Sequence, residues 1–296
     1  MPPNHHSCPL PTRKISLISR HVGSIGGLEK QTKKIGEAFA NRGFKVNILT
    51  LDSGRKKDFH PFISIHTLPS KKWFRSQRVL EFSQECQKWH SKNKSDIIFG
   101  MDITANQTHI RLGNGIHAAY LKQRKYLETN FNSLIIHCNP KHQAILSMEK
   151  KALKNPLLKK LFTNSMMVKK EAIHFYQISP EKIEVIHNGV EWKEKKEDFL
   201  SWVNSKKRLL KPFGLSPLNY HFLFIGNGYK RKGLIYLLHG LKMLAFKDVH
   251  LLVVGKEKNI PYYVQLVKKL GLEKQVTFFG PRSDITEFYQ ISDSLV

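Results

Sequence analysis

Residues 222–244, FLFIGNGYKRKGLIYLLHGLKML, hold the arrangement of residue types best suited to chemistry in this chain. Four apolar residues predict a short buried parallel strand, which a Gly-Asn-Gly turn ends. The cationic run YKRK follows, and leucines at helical spacing predict a helix that starts near Gly233. At such a turn, free backbone N–H groups and the positive end of the helix dipole favour an anion, and Arg231 and Lys232 add formal charge. We therefore expect a diphosphate site here, with a surface turn of solvated lysines as the alternative.

A second glycine loop, HVGSIGG, lies near the start of the chain between a predicted strand over 14–19 and a predicted helix over 28–41. Another strand follows, and this βαβ order places the loop where open α/β sheets bind ligands. Gly26 and Gly27 allow close approach of the backbone to a ligand, although a tight turn needs no ligand. The loop lacks the GxGxxG fingerprint. Asp52, after the second strand, could still mimic a ribose-binding acid, which keeps a nicotinamide enzyme as an alternative.

A histidine follows a third glycine turn, in the segment GNGIH that ends at His117. It lies in a segment over 102–117 that is predicted to be polar, after a short buried strand over 97–100. An imidazole beyond a strand end can contact substrate or handle a proton. Since the chain has 15 histidines, a structural role is the alternative.

The remaining pattern alternates strands with helices, which predicts an α/β fold with doubly wound parallel sheets. We expect a disordered, proline-rich lead over 1–12 and a first domain over 13–190. A polar connection over 191–217 and a second domain over 218–296 follow. The 296 residues are enough for two cores.

The formal net charge of +26 favours polyanionic partners, namely nucleic acid, an anionic membrane surface or phosphorylated substrates. Lysines scattered over solvated faces are the alternative, because they occur along the whole chain. The region 118–170 mixes cations with apolar residues, as an interfacial helix on an anionic membrane does, and a solvated cationic face explains it equally well.

Cysteine content and apolar patterning bear on the compartment. The three cysteines are far apart and form no CxxC pair, which indicates a reducing environment. No apolar run is long enough for a signal peptide or a membrane span, so we expect a cytoplasmic protein.

Several segments, in order, resemble family-4 retaining glycosyltransferases of the GT-B fold. The segments are GSIGGLEKQ, FTNSMMVKKEAIHFYQISPEKIEVIHNGV, FIGNGYKRKGLIYLLHGL, LLVVGKEK and KKLGLEKQVTFFGPRSDITEFYQISDSLV. Within that family the likeness is greatest to the lipopolysaccharide core α-1,3-glucosyltransferases, which use UDP-glucose and a heptose acceptor. GNGIHAAYLKQR is similar to their acceptor-side segment.

The resemblance implies two Rossmann-like domains that face a cleft, and roles for particular residues. Gly26 and Gly27 match the loop that approaches the donor diphosphate. Arg231 and Lys232 match the basic pair that binds this diphosphate and neutralises the leaving UDP. His117 matches a polar position near the acceptor hydroxyl. A UDP-sugar is then the donor substrate, with no cofactor or metal, and the basic 118–170 region faces phosphorylated lipid at the inner face of the cytoplasmic membrane.

Two departures from the family pattern matter for catalysis. Asn114 stands where relatives often have aspartate, and asparagine can hydrogen-bond but cannot accept a proton. The chain also ends before the family's paired-glutamate segment, which implies an incomplete second domain and weak binding of UDP-glucose. A non-catalytic remnant, a nucleotide-sugar epimerase and a basic nucleic-acid-binding protein are the alternatives, although no nucleic-acid recognition motif is present.

Overall fold

The computed structural model describes residues 13–22, 27–52, 59–72, 74–127, 139–190, 196–197, 200, 202–246 and 248–296. The predicted lead over 1–12 and the predicted site residue Gly26 lie outside these ranges. The chain divides into two compact units, of which the first ends at Asn188 and the second begins at Gly189.

Unit 1 contains a seven-stranded parallel sheet with the strand order β3-β2-β1-β4-β5-β6-β7. Its strands are β1 (Lys14–Ile18), β2 (Lys45–Thr50), β3 (Ile63–Thr67), β4 (Ile97–Gly100), β5 (His109–Leu112), β6 (Lys160–Thr163) and β7 (Ile183–Val185). Both faces of the sheet are buried, which is why β1 has the nearly continuous apolar sequence KISLI. Because the strands are parallel, their carboxyl ends meet at one edge.

Helices cover unit 1 on both faces of this sheet. They are α1 (Gly27–Ala40), α2 (Arg75–Lys92), α3 (His117–Leu127), α4 (Pro140–Leu153) and α5 (Met166–Tyr176). On one face, Leu28, Ile35 and Phe39 of α1 pack against a cluster formed with β1 and β2. On the other, Phe82 and Cys86 of α2 pack beside Ile18 and Leu49.

The segment over 102–117 contains a strand that the sequence analysis did not predict. In β5, buried Ile110 and Leu112 alternate with His109 and Arg111. The strand pairs with β4 on one side and β6 on the other. The prediction of a wholly polar segment was therefore wrong, because two polar side chains interrupt a strand of only four residues.

Unit 2 contains a four-stranded parallel sheet with the order β10-β9-β8-β11. Its strands and helices are α6 (Trp202–Leu210), β8 (Tyr220–Ile225), α7 (Tyr229–Lys232), α8 (Leu234–Met243), β9 (Val249–Val254), α9 (Ile260–Leu270), β10 (Val276–Gly280), α10 (Ile285–Ile291) and β11 (Ser294–Leu295). Helix α6 falls in the range predicted as a polar connection, yet Leu210 and Leu215 are buried in a core cluster of this unit. Two parallel α/β units confirm the predicted fold class.

The cationic run differs from its prediction. Instead of an open turn before a helix, Tyr229 to Lys232 form one helical turn, α7. Gly228 and Gly233 flank it with φ angles of 74° and 82°, a region that glycine adopts at little cost. Gly233 separates α7 from α8, so the three cations lie on a short helical element of their own.

None of the helices among the described residues is long and apolar enough to cross a membrane.

His221, the second residue of β8, is fully buried in unit 2. Neither of its ring nitrogens has a hydrogen-bond partner among the described residues, and the carboxylate of Asp293 lies 3.8 Å from Nδ1. Burial and, to a smaller degree, the charges of Lys206 and His250 lower the pKa of His221 to about 4, against the opposing effect of Asp293. The imidazole is therefore neutral in the folded chain at neutral pH.

We expect unit 2 to lose stability as the pH falls from 6.5 toward about 4, because the unfolded chain protonates His221 in this window and the folded chain does not. The loss in the free energy of unfolding is on the order of 2–3 kcal/mol by pH 4. Thermal unfolding of the full chain, followed by circular dichroism at a series of pH values, measures it. The variant His221→Leu removes the titrating group at similar volume and should flatten the dependence of Tm on pH. An unchanged slope would assign the acid sensitivity to other groups.

Candidate active site

A cavity of about 250 Å³ opens in unit 1 beyond the carboxyl ends of β4 and β5. Both predicted catalytic residues, Asn114 and His117, line it. The cavity is where parallel α/β sheets usually place a ligand, because the strand ends and the loops that follow them converge at this edge. The structure thus brings these two predicted residues together on one wall.

His117 is the first residue of α3, and its ring is only partly exposed. Its Nε2 lies 3.0 Å from Nδ1 of His142 on α4, so one ring donates a hydrogen bond and the other accepts it. Burial, followed by the charges of His142 and Lys141, lowers the pKa of His117 to about 4. A neutral imidazole can take part in hydrogen bonds to a substrate hydroxyl over the whole physiological pH range.

The turn that carries Asn114 is held from two sides. The side-chain amide of Asn164, beyond β6, donates a hydrogen bond to the carbonyl oxygen of Gly113 at 3.0 Å. The guanidinium of Arg111 crosses directly over Gly113, where an added Cβ would lie 1.9 Å from Nη1. Gly113 therefore has to lack a side chain so that Arg111 can reach Asn188, to which it donates a hydrogen bond of 2.9 Å.

Two arginines, Arg20 and Arg111, line the cavity together with two acids, Asp102 and Glu149. Asp102 accepts hydrogen bonds from the backbone N–H of Arg20 at 2.8 Å and from its Nε at 2.9 Å, and the two side chains form an ion pair. No carboxylate among the described residues pairs with Arg111. Burial lowers the pKa of Arg111, which is the direction expected for a cation that lacks a compensating charge. The lining suits a ligand that carries hydroxyl groups, and Arg111 is the cation left for a negative group on it.

The predicted glycine loop can be described only in part. Gly27 is the first residue of α1 and is exposed, and a Cβ added to it would meet no described residue within 4 Å. Packing within the described part of the chain therefore does not require glycine at this position. The role of Gly26 and Gly27 beside a diphosphate stays a prediction.

In unit 2, the predicted diphosphate residues lie beyond the carboxyl end of β8. The aliphatic part of Lys232 packs over Gly226, where an added Cβ would lie 3.0 Å from Cγ. Nη2 of Arg231 donates a hydrogen bond to the backbone oxygen of Asn227 at 3.3 Å. Both side chains are exposed. The structure thus places two exposed cationic groups at the carboxyl edge of the sheet, where parallel α/β sheets usually bind ligands.

The backbone at this turn is less open than the sequence predicted. The N–H of Tyr229, the first of α7, donates to the carboxylate of Glu257 at 2.6 Å. Backbone N–H donors, first that of Asn259 and then those of Tyr229 and Lys258, lower the pKa of Glu257, so this carboxylate stays ionised. Of the backbone N–H groups that were expected to be free at this turn, that of Tyr229 is therefore occupied by an acid from the β9–α9 loop. The exposed side chains of Arg231 and Lys232 remain available to an anion.

Comparison with known proteins assigns a family to this arrangement. The model of Glycosyltransferase Family 4 matches residues 25–193, more than half of the chain. The chain belongs to glycosyltransferase family 4. The model of Glycosyl transferases group 1 matches residues 206–296. This family-4 glycosyltransferase is thus a sugar-transferring enzyme by its family, and the predicted retaining, UDP-sugar-dependent chemistry fits that family.

Individual relatives are more distant. The glycosyltransferase is similar to the lipopolysaccharide glucosyltransferase WaaG of Escherichia coli K12, with 22% identity over 278 residues that cover 92% of this chain and 70% of that protein. The crystal structure of WaaG matches with a TM-score of 0.80 and 19% identity, covering 95% of this chain and 74% of that one. The structure of HepE from Anabaena with UDP and glucose matches with a TM-score of 0.61 and 16% identity, covering 96% and 73%. These likenesses confirm the GT-B fold, and nothing in them favours the nucleic-acid-binding alternative.

Sequence reasoning missed several residues of the glycosyltransferase's cavity. Arg20 and Asp102 each follow a correctly predicted strand, so their positions at strand ends were a usable signal. Arg111 was not recognised as a cavity residue because β5 was not predicted. The sequence also could not indicate a role for His142, since its contact with His117 depends on how α4 packs beside α3.

Proposed function

We propose that this family-4 glycosyltransferase transfers glucose from UDP-glucose, with retention, to a heptose of the lipopolysaccharide core. The observation that carries the proposal is the pair Arg231 and Lys232 beyond the carboxyl end of β8, where it suits a diphosphate. The choice of glucose and of a lipopolysaccharide acceptor is supported by the printed name of the E. coli relative. The solved complexes of HepE with UDP-glucose support the nucleotide-sugar class.

In this reaction, the bond between the anomeric carbon and the diphosphate oxygen breaks, and its electron pair leaves with UDP. The acceptor hydroxyl forms a new bond to the same face of the anomeric carbon, and its proton passes to the departing diphosphate oxygen. Negative charge grows on the diphosphate while an oxocarbenium-like sugar develops, so cations at the leaving group lower the barrier. In our proposal Arg231 and Lys232 supply this charge, and no resident metal or cofactor is needed.

The cavity of unit 1 is the proposed acceptor site. His117, held neutral, and Asn114 would hydrogen-bond to hydroxyl groups of the acceptor. Asn114 cannot accept a proton, and the lowered pKa makes His117 a weak base, so both orient the acceptor. Arg111, which lines the same cavity without a carboxylate partner among the described residues, suits a phosphate group on a sugar.

We also propose peripheral contact with the anionic inner membrane at its cytoplasmic face. Within the described part of the region 118–170, Lys141, Lys150 and Lys151 of α4 are exposed, and so are Met166 and Met167 at the start of α5. Exposed methionines can insert into the apolar layer of a membrane, and exposed lysines are attracted to anionic lipid.

The test is transfer of labelled glucose from UDP-glucose to a heptose-terminated lipopolysaccharide core by the full chain. We expect an α-linked product from UDP-glucose, little product from UDP-galactose, and no loss of rate in EDTA. Anomeric configuration is read by NMR. Transfer from another donor alone would overturn the glucose assignment, and loss of rate in EDTA would overturn the metal-free mechanism. Absence of transfer from every UDP-sugar, by a chain that unfolds cooperatively, would overturn the proposed activity.

A further inference from the structure

Glu149 is a buried acid in the wall of the unit 1 cavity. It lies on α4 and only 2% of its surface is exposed. Its Oε1 accepts a hydrogen bond from the backbone N–H of His117 at 2.5 Å. Its Oε2 accepts from the N–H of Ala118 at 3.3 Å and from the hydroxyl of Tyr176 at 2.7 Å. A carboxylate from one helix thus caps the first turn of α3 and is itself anchored by α5.

Its buried position makes the ionised form of Glu149 less favourable. Burial raises the pKa of Glu149, and the three hydrogen bonds only partly offset this effect. No cation among the described residues forms an ion pair with its carboxylate. A buried, unpaired acid beside a ligand cavity is unfavourable for folding alone, and groups with such raised pKa values are concentrated at functional sites. The hydrogen bonds of this carboxylate fix the N-terminus of α3.

We propose that Glu149 is a positioning residue, whose carboxylate fixes the first turn of α3 and thereby the place of His117 in the acceptor site. The inference rests on the proposed transfer, in which His117 lies beside the acceptor. Gly115, two residues before His117, has a φ of 77° and links this helix start to Asn114. A shift of the first turn of α3 would therefore move His117, whereas the turn that carries Asn114 is also held by Asn164.

Both carboxylate oxygens of Glu149 have to accept hydrogen bonds in this arrangement. From α3, one backbone N–H group faces each oxygen and can only donate, whereas the phenol of Tyr176 on α5 donates here and could also accept. In Glu149→Gln the side-chain NH₂ group has to face one of the two backbone N–H groups, so at least one hydrogen bond becomes a repulsive contact. In Tyr176→Phe both backbone contacts remain and only the phenol is lost. The two variants therefore separate the capping of α3 from the packing of Glu149 against α5.

The experiment compares the full-length wild type with Glu149→Gln, Tyr176→Phe and the control Glu85→Gln. Glu85 forms a surface ion pair with Lys88 on α2, so its variant makes the same change of charge away from the cavity. For Glu149→Gln we expect kcat/KM for the lipopolysaccharide core acceptor to fall roughly 10- to 100-fold, as misplacement of a reacting group does. The Kd of UDP should change less than about two-fold, because its proposed site lies in unit 2.

A second readout does not depend on turnover. In protein labelled with ¹⁵N-histidine, the amide proton of His117 should lie downfield in the wild type, as a short bond to a carboxylate produces. The chemical shift of this amide proton should move upfield in Glu149→Gln and stay unchanged in Tyr176→Phe and Glu85→Gln. If the wild type shows no transfer, the proposed function fails, and this amide shift still decides whether Glu149 holds His117. An unmoved His117 amide in Glu149→Gln would overturn the inference, and so would a lower Tm with unchanged kinetic constants.

Discussion

Arg231→Ala is expected to weaken the binding of UDP by the full chain roughly 100-fold, which takes it below detection by calorimetry. The guanidinium is one of three cations on α7, and it is exposed with a single hydrogen bond of 3.3 Å to the backbone oxygen of Asn227. Its neighbour Lys232 can supply a point charge but not the bidentate contact of a guanidinium. Because the N–H of Tyr229 is bound by Glu257, the backbone of α7 offers little to replace Arg231.

Titration calorimetry with UDP and with UDP-glucose measures this effect. Lys242→Ala is the matched control, since it removes one exposed cation from the far end of α8 and should leave the Kd of UDP unchanged. Arg231→Lys keeps the charge and should recover only part of the affinity. Equal weakening by Arg231→Ala and Lys242→Ala would show that UDP responds to overall charge alone, and the diphosphate assignment would then be abandoned.

Much of the fold could be predicted, because its strongest signals are local. The strand predicted over 97–100 has those bounds in β4, and the helix predicted over 28–41 is shifted by only one residue in α1. Helix α6 was missed because it is short and cationic, and its apolar side is recognised only once Leu210 packs into the core of unit 2.

For the proposed diphosphate site of unit 2, the sequence predicted which residue types meet but not the local helix or its hydrogen bonds. A strand, a glycine turn and cations are adjacent in sequence, so their meeting at one edge follows from local geometry alone. The one-turn helix α7 and the capping of Tyr229 by Glu257 depend on the β9–α9 loop, which is distant in sequence. Sequence spacing could not indicate that a carboxylate takes one of the expected amides.

On the acceptor side, His117 was identifiable from the glycine turn before it, whereas its partners were not. His142 and Glu149 reach it from α4, 25 and 32 positions along the chain. In the sequence His142 follows Lys141, and Glu149 precedes Lys150 and Lys151, a context typical of a solvated helix face. Only the packing of α4 against α3 turns Glu149 inward, so tertiary structure decides its role.

Gly255→Ala is expected to lower the free energy of unfolding of unit 2 by about 3–5 kcal/mol, through backbone strain and overpacking together. Gly255 follows β9 with a φ of 137°, and a Cβ there would lie 2.2 Å from the carbonyl oxygen of Gly226. The ends of β8 and β9 approach each other through these two glycines. An added methyl group must force them apart and shift the surface on which Lys232 packs. The variant should therefore also bind UDP more weakly.

Gly240→Ala makes the same chemical change where the structure has room. Gly240 is an exposed residue inside α8, and a Cβ added to it would meet nothing within 4 Å. Alanine should stabilise the helix here by about 0.5–1 kcal/mol and leave UDP binding unaltered. Urea unfolding of both variants, with calorimetry of UDP at a temperature where each is folded, separates stability from binding. If Gly255→Ala proved as harmless as Gly240→Ala, the close approach of the β8 and β9 ends could not be what places Lys232, and the cations would have to be positioned by α7 alone.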